Sequence, residues 1–252
     1  VRWLQSAFLA KAVAGLFLGW IYYHHYKDRY NSDTIKFFDD SGILFDTLRS
    51  DPRSFFRMLT GFGADDPSLR PYYVKMQAWL NTDVLFNDNK TVIRLNTLFR
   101  FISCGYYSVH VILINMLSFT GLYCMFAALK RFLDGGRRLL FVTVFGLPSL
   151  MLWGSGLLKD GFMLFALGLL LKSFTQLAYK EQHKGTLPLF VLSLFLLMFT
   201  KFYVIVTVLP GLVGWWLARN HRGWKSALIF LASYSAFMAA GFNVYRINDR
   251  YD

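Results

Sequence analysis

Two adjacent charges, Lys159 and Asp160, lie between long apolar runs, just after a Gly-Ser-Gly break at residues 154–156. Charged side chains are costly inside hydrocarbon, so in a membrane protein they are the first place to look for a functional site. Neighbours on a helix point about 100° apart, so these two charges cannot simply neutralise each other, and one of them needs another partner or a ligand. The alternative is a hairpin tip whose charged ends extend to the membrane surface.

Further charged residues without an evident topological role occur before and after this pair. A carboxylate can act as a general base, and Lys or Arg at a membrane boundary can hold a phosphate group. Together they favour a lipid-phosphate substrate that approaches from the bilayer. The candidates are the acids Asp33, Asp39, Asp40 and Asp160 and the cations Lys159, Lys201 and Arg246.

Several of these candidates also have a purely structural interpretation. Asp33 precedes a predicted amphipathic helix and could cap its N-terminus. Asp39 and Asp40 could lie on the solvated side of that helix. Lys201 separates two apolar runs and could extend to the membrane interface.

The histidines give no metal site. His24 and His25 are adjacent at the end of an apolar run, but no third ligand follows at a fixed spacing, so interfacial placement is favoured. His110 and Asn115 lie inside an apolar run, where polar side chains more often hydrogen-bond between helices. Walker, dinucleotide-binding, HExxH and GxSxG motifs are absent from the sequence.

The elements that must position these residues are membrane-spanning helices. The chain has 252 residues, 55% of them hydrophobic, with a mean hydropathy of +0.37, and several apolar runs approach the roughly 20 residues that cross a bilayer. We predict an all-α polytopic transmembrane bundle of about seven spans, forming a single membrane domain over 1–252. The predicted spans are 4–23, 106–129, 139–153, 157–178, 187–200, 202–217 and 227–242.

A long polar insertion, 24–105, follows the first span and is predicted to be an extracytoplasmic loop. Apolar residues recur there at helical spacing, which is typical of amphipathic helices that can lie in the membrane plane. One stripe comprises Phe37, Phe38, Ser41, Leu44, Phe45 and Leu48, and a second comprises Tyr72, Tyr73, Met76, Trp79 and Leu80. Residues 106–252 then form the bundle.

Short basic loops set the predicted orientation. The loops 130–138, 180–184 and 219–225 are rich in Lys and Arg, which places them in the cytoplasm. This bias accounts for the net charge of +12 without a nucleic-acid partner. Alternation then puts the insertion, the Lys159-Asp160 tip, Lys201 and Arg246 on the opposite face.

In this arrangement the chain resembles the GT-C glycosyltransferases, polytopic membrane enzymes that use polyprenyl-phosphate-linked sugars. The run from Tyr30 to Phe38 contains Asp33 and is similar to the family's first loop with its catalytic acid. The hairpin from Pro148 to Asp160 is similar to the Pro-Ser…Ser-Gly…Lys-acid hairpin of bacterial membrane glycosyltransferases and polysaccharide polymerases. The chain departs from the family in having fewer spans and no soluble C-terminal domain, and we expect it to be incomplete on that side.

The resemblance implies a role for each candidate. It makes Asp33 the general base, with Asp40 as the alternative candidate. The cations Lys159, Lys201 and Arg246 would bind the phosphate of the donor. Asp39 and Asp160 would support them. The resemblance implies no definite cofactor, and a divalent metal stays an open option. The expected partners are a polyprenyl-phosphate-linked sugar, membrane lipids and other membrane subunits, at the extracytoplasmic face of a bacterial inner membrane.

Two other functions stay open. One is a polysaccharide polymerase or ligase that acts on undecaprenyl-diphosphate glycans, which differs from the first in its donor. The other is a non-catalytic membrane subunit that scaffolds an envelope complex. A transporter would need broken helices related by an internal repeat, and the sequence shows no such repeat.

Overall fold

The structure, a computed structural model, describes residues 2–25, 32–79, 88–133, 135–181 and 183–248, although not the side chains of residue 88 or of residues 241–248. All regular elements in these ranges are helical, without a strand, so the all-α prediction is confirmed for this part of the chain. The helices are α1 Arg2–His25, α2 Asp33–Ser50, α3 Pro52–Thr60, α4 Arg70–Tyr73, α5 Asp88–Ser103, α6 Tyr107–Leu129, α7 Arg137–Gly146, α8 Pro148–Leu152, α9 Lys159–Ala178, α10 Thr186–Thr200, α11 Phe202–Ala218 and α12 Trp224–Asn248.

Three stretches are long and apolar enough to cross a membrane: Arg2–His25, Tyr107–Phe132 and Lys159–Ala178. They correspond to the first, second and fourth predicted spans. Helices α10 and α11 are apolar but have only 15 and 17 residues. At 1.5 Å per residue they reach about 22 and 26 Å, short of a hydrocarbon core of about 30 Å. Transmembrane character is thus supported, while the count of seven spans stays a prediction.

The third predicted span, 139–153, is not one helix, and that prediction is wrong. Helix α7 ends at Gly146, Leu147 is extended, and α8 begins at Pro148 and is only five residues long. Proline lacks the N–H for a helical hydrogen bond and disfavours helical geometry in the residue before it, which explains the break at Leu147. Residues 153–158 then run without regular helix, largely buried, to the start of α9.

Helices α6 and α9 form the centre of the bundle and approach each other closely at two glycines. A methyl group on Gly168 of α9 would overlap the carbonyl of Gly121 of α6, and one on Gly121 would overlap the carbonyl of Leu164. Small residues that bring backbones together are typical of helix contacts in membranes. Helix α1 packs against α6, α10 packs on another side of α9, and α11 packs against α12.

The insertion folds into a unit with a shared core. On α2, Phe37, Ser41 and Leu44 are buried, which confirms the first amphipathic stripe. The second stripe is not one helix, because α4 ends at Tyr73, although Met76, which lies beyond it, is buried in the same core. Leu80 lies outside the described residues.

The core of the insertion continues into the bundle. It includes Ile114 of α6, Leu157 just before α9 and Phe162 in the first turn of α9. The apolar faces of α2 and α5 therefore contact protein, whereas we had expected helices lying in the membrane plane. The insertion is thereby attached to one end of the bundle, above the start of α9.

Contacts also bring the basic segments together at the other end of α9. Arg131 forms an ion pair with Glu181 at 2.7 Å, and Arg219 donates a hydrogen bond to the carbonyl of Ala178 at 2.7 Å. Phe132 packs edge to face on Trp215, with ring centroids 5.7 Å apart. The bundle thus has one basic end and one end covered by the insertion.

Candidate functional site

The charged residues around the start of α9 converge in space. Lys201, between α10 and α11, places its Nζ 2.7 Å from Oδ1 of Asp160. The expectation that one member of the Lys159-Asp160 pair needs another partner is confirmed for Asp160. Both side chains are partly enclosed, with 16% of Lys201 and 31% of Asp160 exposed. In the first turn of α9, Asp160 is also stabilised by the positive end of the helix dipole.

Lys159 faces the insertion. Its Nζ lies 5.9 Å from the centre of the Phe37 ring on α2, within the range of a cation–π contact. Lys159 is the neighbour of Asp160 in the chain and Lys201 pairs with Asp160, so the three residues lie together where the bundle meets the insertion. We refer to Lys159, Asp160 and Lys201 as the junction cluster.

Asp33 lies one helical turn before Phe37, on the same side of α2. Its carboxylate is 66% exposed and is 3.7 Å from Nζ of Lys36. The suggestion that Asp33 caps α2 is wrong, because Ser32 holds the cap position and Asp33 is the first residue inside the helix. Its side chain is therefore not engaged in capping and is accessible to solvent.

Asp40 is in a different environment. Its side chain is fully buried, and its two oxygens accept hydrogen bonds from the backbone amides of Gln77 at 2.8 Å and Ala78 at 2.7 Å. Burial raises the pKa of Asp40, and the two amides oppose that shift. The expectation of a solvated Asp40 is wrong, and a carboxylate buried in this way is out of reach of an acceptor. We therefore correct its assignment as reserve base: Asp40 holds residues 77 and 78 against α2.

The remaining candidates contribute less. Asp39 is half-buried on α2. Arg246 belongs to α12, but the structure does not describe its side chain. Within the described ranges, no three His, Cys, Asp or Glu side chains are close enough together to hold a metal ion.

An apolar cleft of about 350 Å³ opens beside the first turns of α2. Aromatic side chains from three helices form most of its walls, and Gly19 of α1 leaves room for the ring of Tyr107. The cleft and the junction cluster border the same two turns of α2, the cleft through Ile35 and Phe38 and the cluster through Phe37. Its aromatic walls are Trp20, Tyr23, Phe38 and Tyr107.

Lys11, which our sequence analysis missed, is fully buried in α1. Its Nζ donates to the carbonyl of Leu150 at 3.2 Å and to Oγ of Ser155 at 3.0 Å. Asn115 of α6 donates to the carbonyl of Ser155 at 3.0 Å. Lys11 and Asn115 thus donate hydrogen bonds to backbone carbonyls in the segment where the helix is broken. Non-helical backbone at the depth of a membrane needs such partners and burial within the protein. The signal in the sequence was a lone lysine midway along an apolar run.

His110 has the structural role that its position suggested. Its ring nitrogens lie 2.7 Å from Oγ of Ser103 and 3.0 Å from Oδ1 of Asn96. These contacts connect α5 to α6, and with those of Asn115 they confirm that both polar residues bond between helices or segments.

No known protein family, curated protein or solved structure matches this chain. The features of the chain that bear on function are the junction cluster, exposed Asp33 and the adjoining cleft.

Proposed function

We propose that this chain is an integral membrane glycosyltransferase of GT-C type, which transfers a sugar from a polyprenyl-phosphate donor to an extracytoplasmic acceptor. The observation that carries the proposal is that two cations lie at the border between the bundle and the insertion: Lys201 pairs with Asp160, and Lys159, the neighbour of Asp160 in the chain, contacts Phe37 of the insertion. Two cations at such a border suit a phosphate whose lipid tail stays in the membrane. We place the protein in a bacterial inner membrane, with this end outside.

The cleft beside α2 supplies the apolar part of such a site. Its aromatic walls suit the isoprenoid chain of the donor, and its polar surface is small. Because α2 borders both the cleft and the junction cluster, a lipid lying in the cleft would bring its phosphate towards Lys159. The cations would hold the phosphate in place, and that positioning is itself a large part of catalysis.

Asp33 is the acid that we assign as general base. It would accept the proton of the acceptor hydroxyl while the hydroxyl oxygen attacks the anomeric carbon of the sugar. The bond from that carbon to the phosphate oxygen breaks, and polyprenyl phosphate leaves with its charge stabilised by Lys159 and Lys201. Asp160 would keep Lys201 in place through the 2.7 Å ion pair.

The test is sugar transfer from a polyprenyl-phosphate donor by the purified chain. Asp33→Asn keeps the size of the side chain and removes the base, so we expect the turnover rate to fall at least about 100-fold. Asp46→Asn is the matched control, since Asp46 is an exposed acid on the same helix, and it should leave turnover unchanged. Equal rates for wild type and Asp33→Asn would remove Asp33 from the mechanism.

The same assay separates the alternative functions. Consumption of polyprenyl-diphosphate glycans, with no turnover of the monophosphate donor, would identify a polymerase or ligase. A chain that binds neither donor but co-purifies stoichiometrically with another membrane protein would be a scaffolding subunit.

A further inference from the structure

A second apolar groove lies at the basic end of the bundle, away from the junction cluster. It has a volume of about 620 Å³ and runs between the start of α1, the end of α6 and the start of α7. Its surface is almost entirely apolar apart from two guanidinium groups. The lining residues are Trp3, Phe126, Arg137, Arg138, Phe141 and Val142.

Arg137 and Arg138 differ from Arg131 and Arg219 at the same end of the bundle. Arg131 is paired with Glu181, and Arg219 donates to a backbone carbonyl. Arg137 and Arg138 are exposed, and neither forms an ion pair with a carboxylate within the described ranges. Two adjacent positive charges at the mouth of an apolar groove are complementary to an anion that carries a hydrophobic tail.

The outer wall of the groove faces away from the protein. Val142 is 63% exposed and Trp3 is 79% exposed, and behind them Phe126 and Phe141 form the floor, with ring centroids 6.0 Å apart. Tryptophan and arginine are typical of the level where lipid headgroups meet the acyl chains. An apolar surface of this kind on a membrane helix is normally covered by lipid.

We propose that this groove is a binding site for an acidic phospholipid. Arg137 and Arg138 hold its phosphate, and one acyl chain lies along Phe126, Phe141 and Val142. A free phosphate would leave the apolar walls uncovered, and a zwitterionic lipid would bring a cationic headgroup towards the two arginines. The site is distinct from the proposed donor site, which borders the start of α9 at the other end of the bundle.

The test is competition between phosphatidylglycerol and phosphatidylcholine for the full-length chain in detergent, measured by native mass spectrometry. Wild type should retain phosphatidylglycerol preferentially. The double variant R137Q/R138Q should bind it about thirty-fold more weakly, because each juxtamembrane cation strengthens binding of an acidic lipid several-fold. Equal retention of phosphatidylglycerol and phosphatidylcholine by the wild-type protein would by itself overturn the proposal.

Two controls separate a built site from general attraction to a basic surface. R222Q/K225Q removes two exposed charges from the same end, outside the groove, and should weaken binding less than threefold. An equal loss in both double variants would overturn the proposal. V142W fills the groove but keeps both arginines, so it should also weaken phosphatidylglycerol binding. Unchanged binding to V142W, or saturation of the site by tail-free glycerol phosphate at the same concentration, would contradict it.

Discussion

Asp33 and Asp40 lie seven residues apart on α2, yet one carboxylate is exposed and the other is buried. Asp33 is exposed, and Nζ of Lys36 lies 3.7 Å from its carboxylate. Asp40 is enclosed, and both of its oxygens are occupied by backbone amides. The sequence places Asp33 just before a predicted helix and Asp40 on that helix, but it does not show which of the two acids faces the core. The partners of Asp40 follow 37 and 38 residues later in the chain, where no local pattern points to them.

Replacing Asp40 tests its structural role. Asp40→Ala leaves the amides of Gln77 and Ala78 without an acceptor, at a cost of about 1–3 kcal/mol for each buried donor. We therefore expect a lower thermal unfolding midpoint and faster amide hydrogen exchange at residues 77 and 78.

Asp46→Ala is the control for Asp40→Ala, because Asp46 is exposed on the same helix. It should leave both the midpoint and the exchange rates near wild type. A midpoint for Asp40→Ala no lower than that of Asp46→Ala would show that the two amide bonds contribute little.

Two lysines illustrate how far residue-level prediction reaches. Lys201 is recognisable in the sequence because it separates two apolar runs. Its pairing with Asp160 agrees with the rule that a charged side chain within a membrane needs a partner. Lys11 also interrupts an apolar run, but its acceptors belong to the broken segment at Leu150 and Ser155. That segment was predicted to be helical up to Trp153, so its free carbonyls, and the need for a donor, were not foreseen.

At the scale of elements, long apolar runs were the most predictable feature. The predicted spans 4–23, 106–129 and 157–178 agree with α1, α6 and α9 to within a few residues, because each run is long enough to form a helix without help from its neighbours. The predicted span 139–153 is broken at Leu147, because Pro148 cannot continue the helix that ends at Gly146. Helix packing was not predictable, since the approach of α6 to α9 depends on glycines 47 residues apart in the sequence.

That approach gives a prediction for the bundle. Gly168→Ala adds a methyl group that overlaps the carbonyl of Gly121, so α9 must move away from α6. Overpacking of this kind typically costs about 1–3 kcal/mol, and we expect a lower unfolding midpoint in detergent.

Gly185→Ala is the matched control, because a methyl group there meets no atom within 4 Å. Its midpoint should be unchanged. If Gly168→Ala unfolds at the same temperature as Gly185→Ala, the close contact between α6 and α9 is not a source of stability.

At the scale of the whole molecule, the charges separate into two groups with different surroundings. One end gathers the basic segments, joined by Arg131 on Glu181 and by Arg219 on the end of α9. The other end contains the junction cluster, covered by the insertion. The first group, the basic segments, could be predicted from the sequence because Lys and Arg are concentrated in short loops. The second group, the junction cluster, could not be predicted, because it depends on how α10 and α11 pack to place Lys201 beside the start of α9.

The central claim, that the junction cluster holds the phosphate of a polyprenyl donor, is tested most directly by photo-crosslinking. A polyprenyl phosphate with a photoreactive group beside the phosphate would be added to the full-length chain in nanodiscs, and the labelled peptides identified by mass spectrometry. We predict labels in the first turns of α2, at Lys159 and around Lys201, and a marked loss of these labels with the matching polyprenol. Equal labelling by the uncharged polyprenol, or labels confined to the groove at Arg137 and Arg138, would contradict the account.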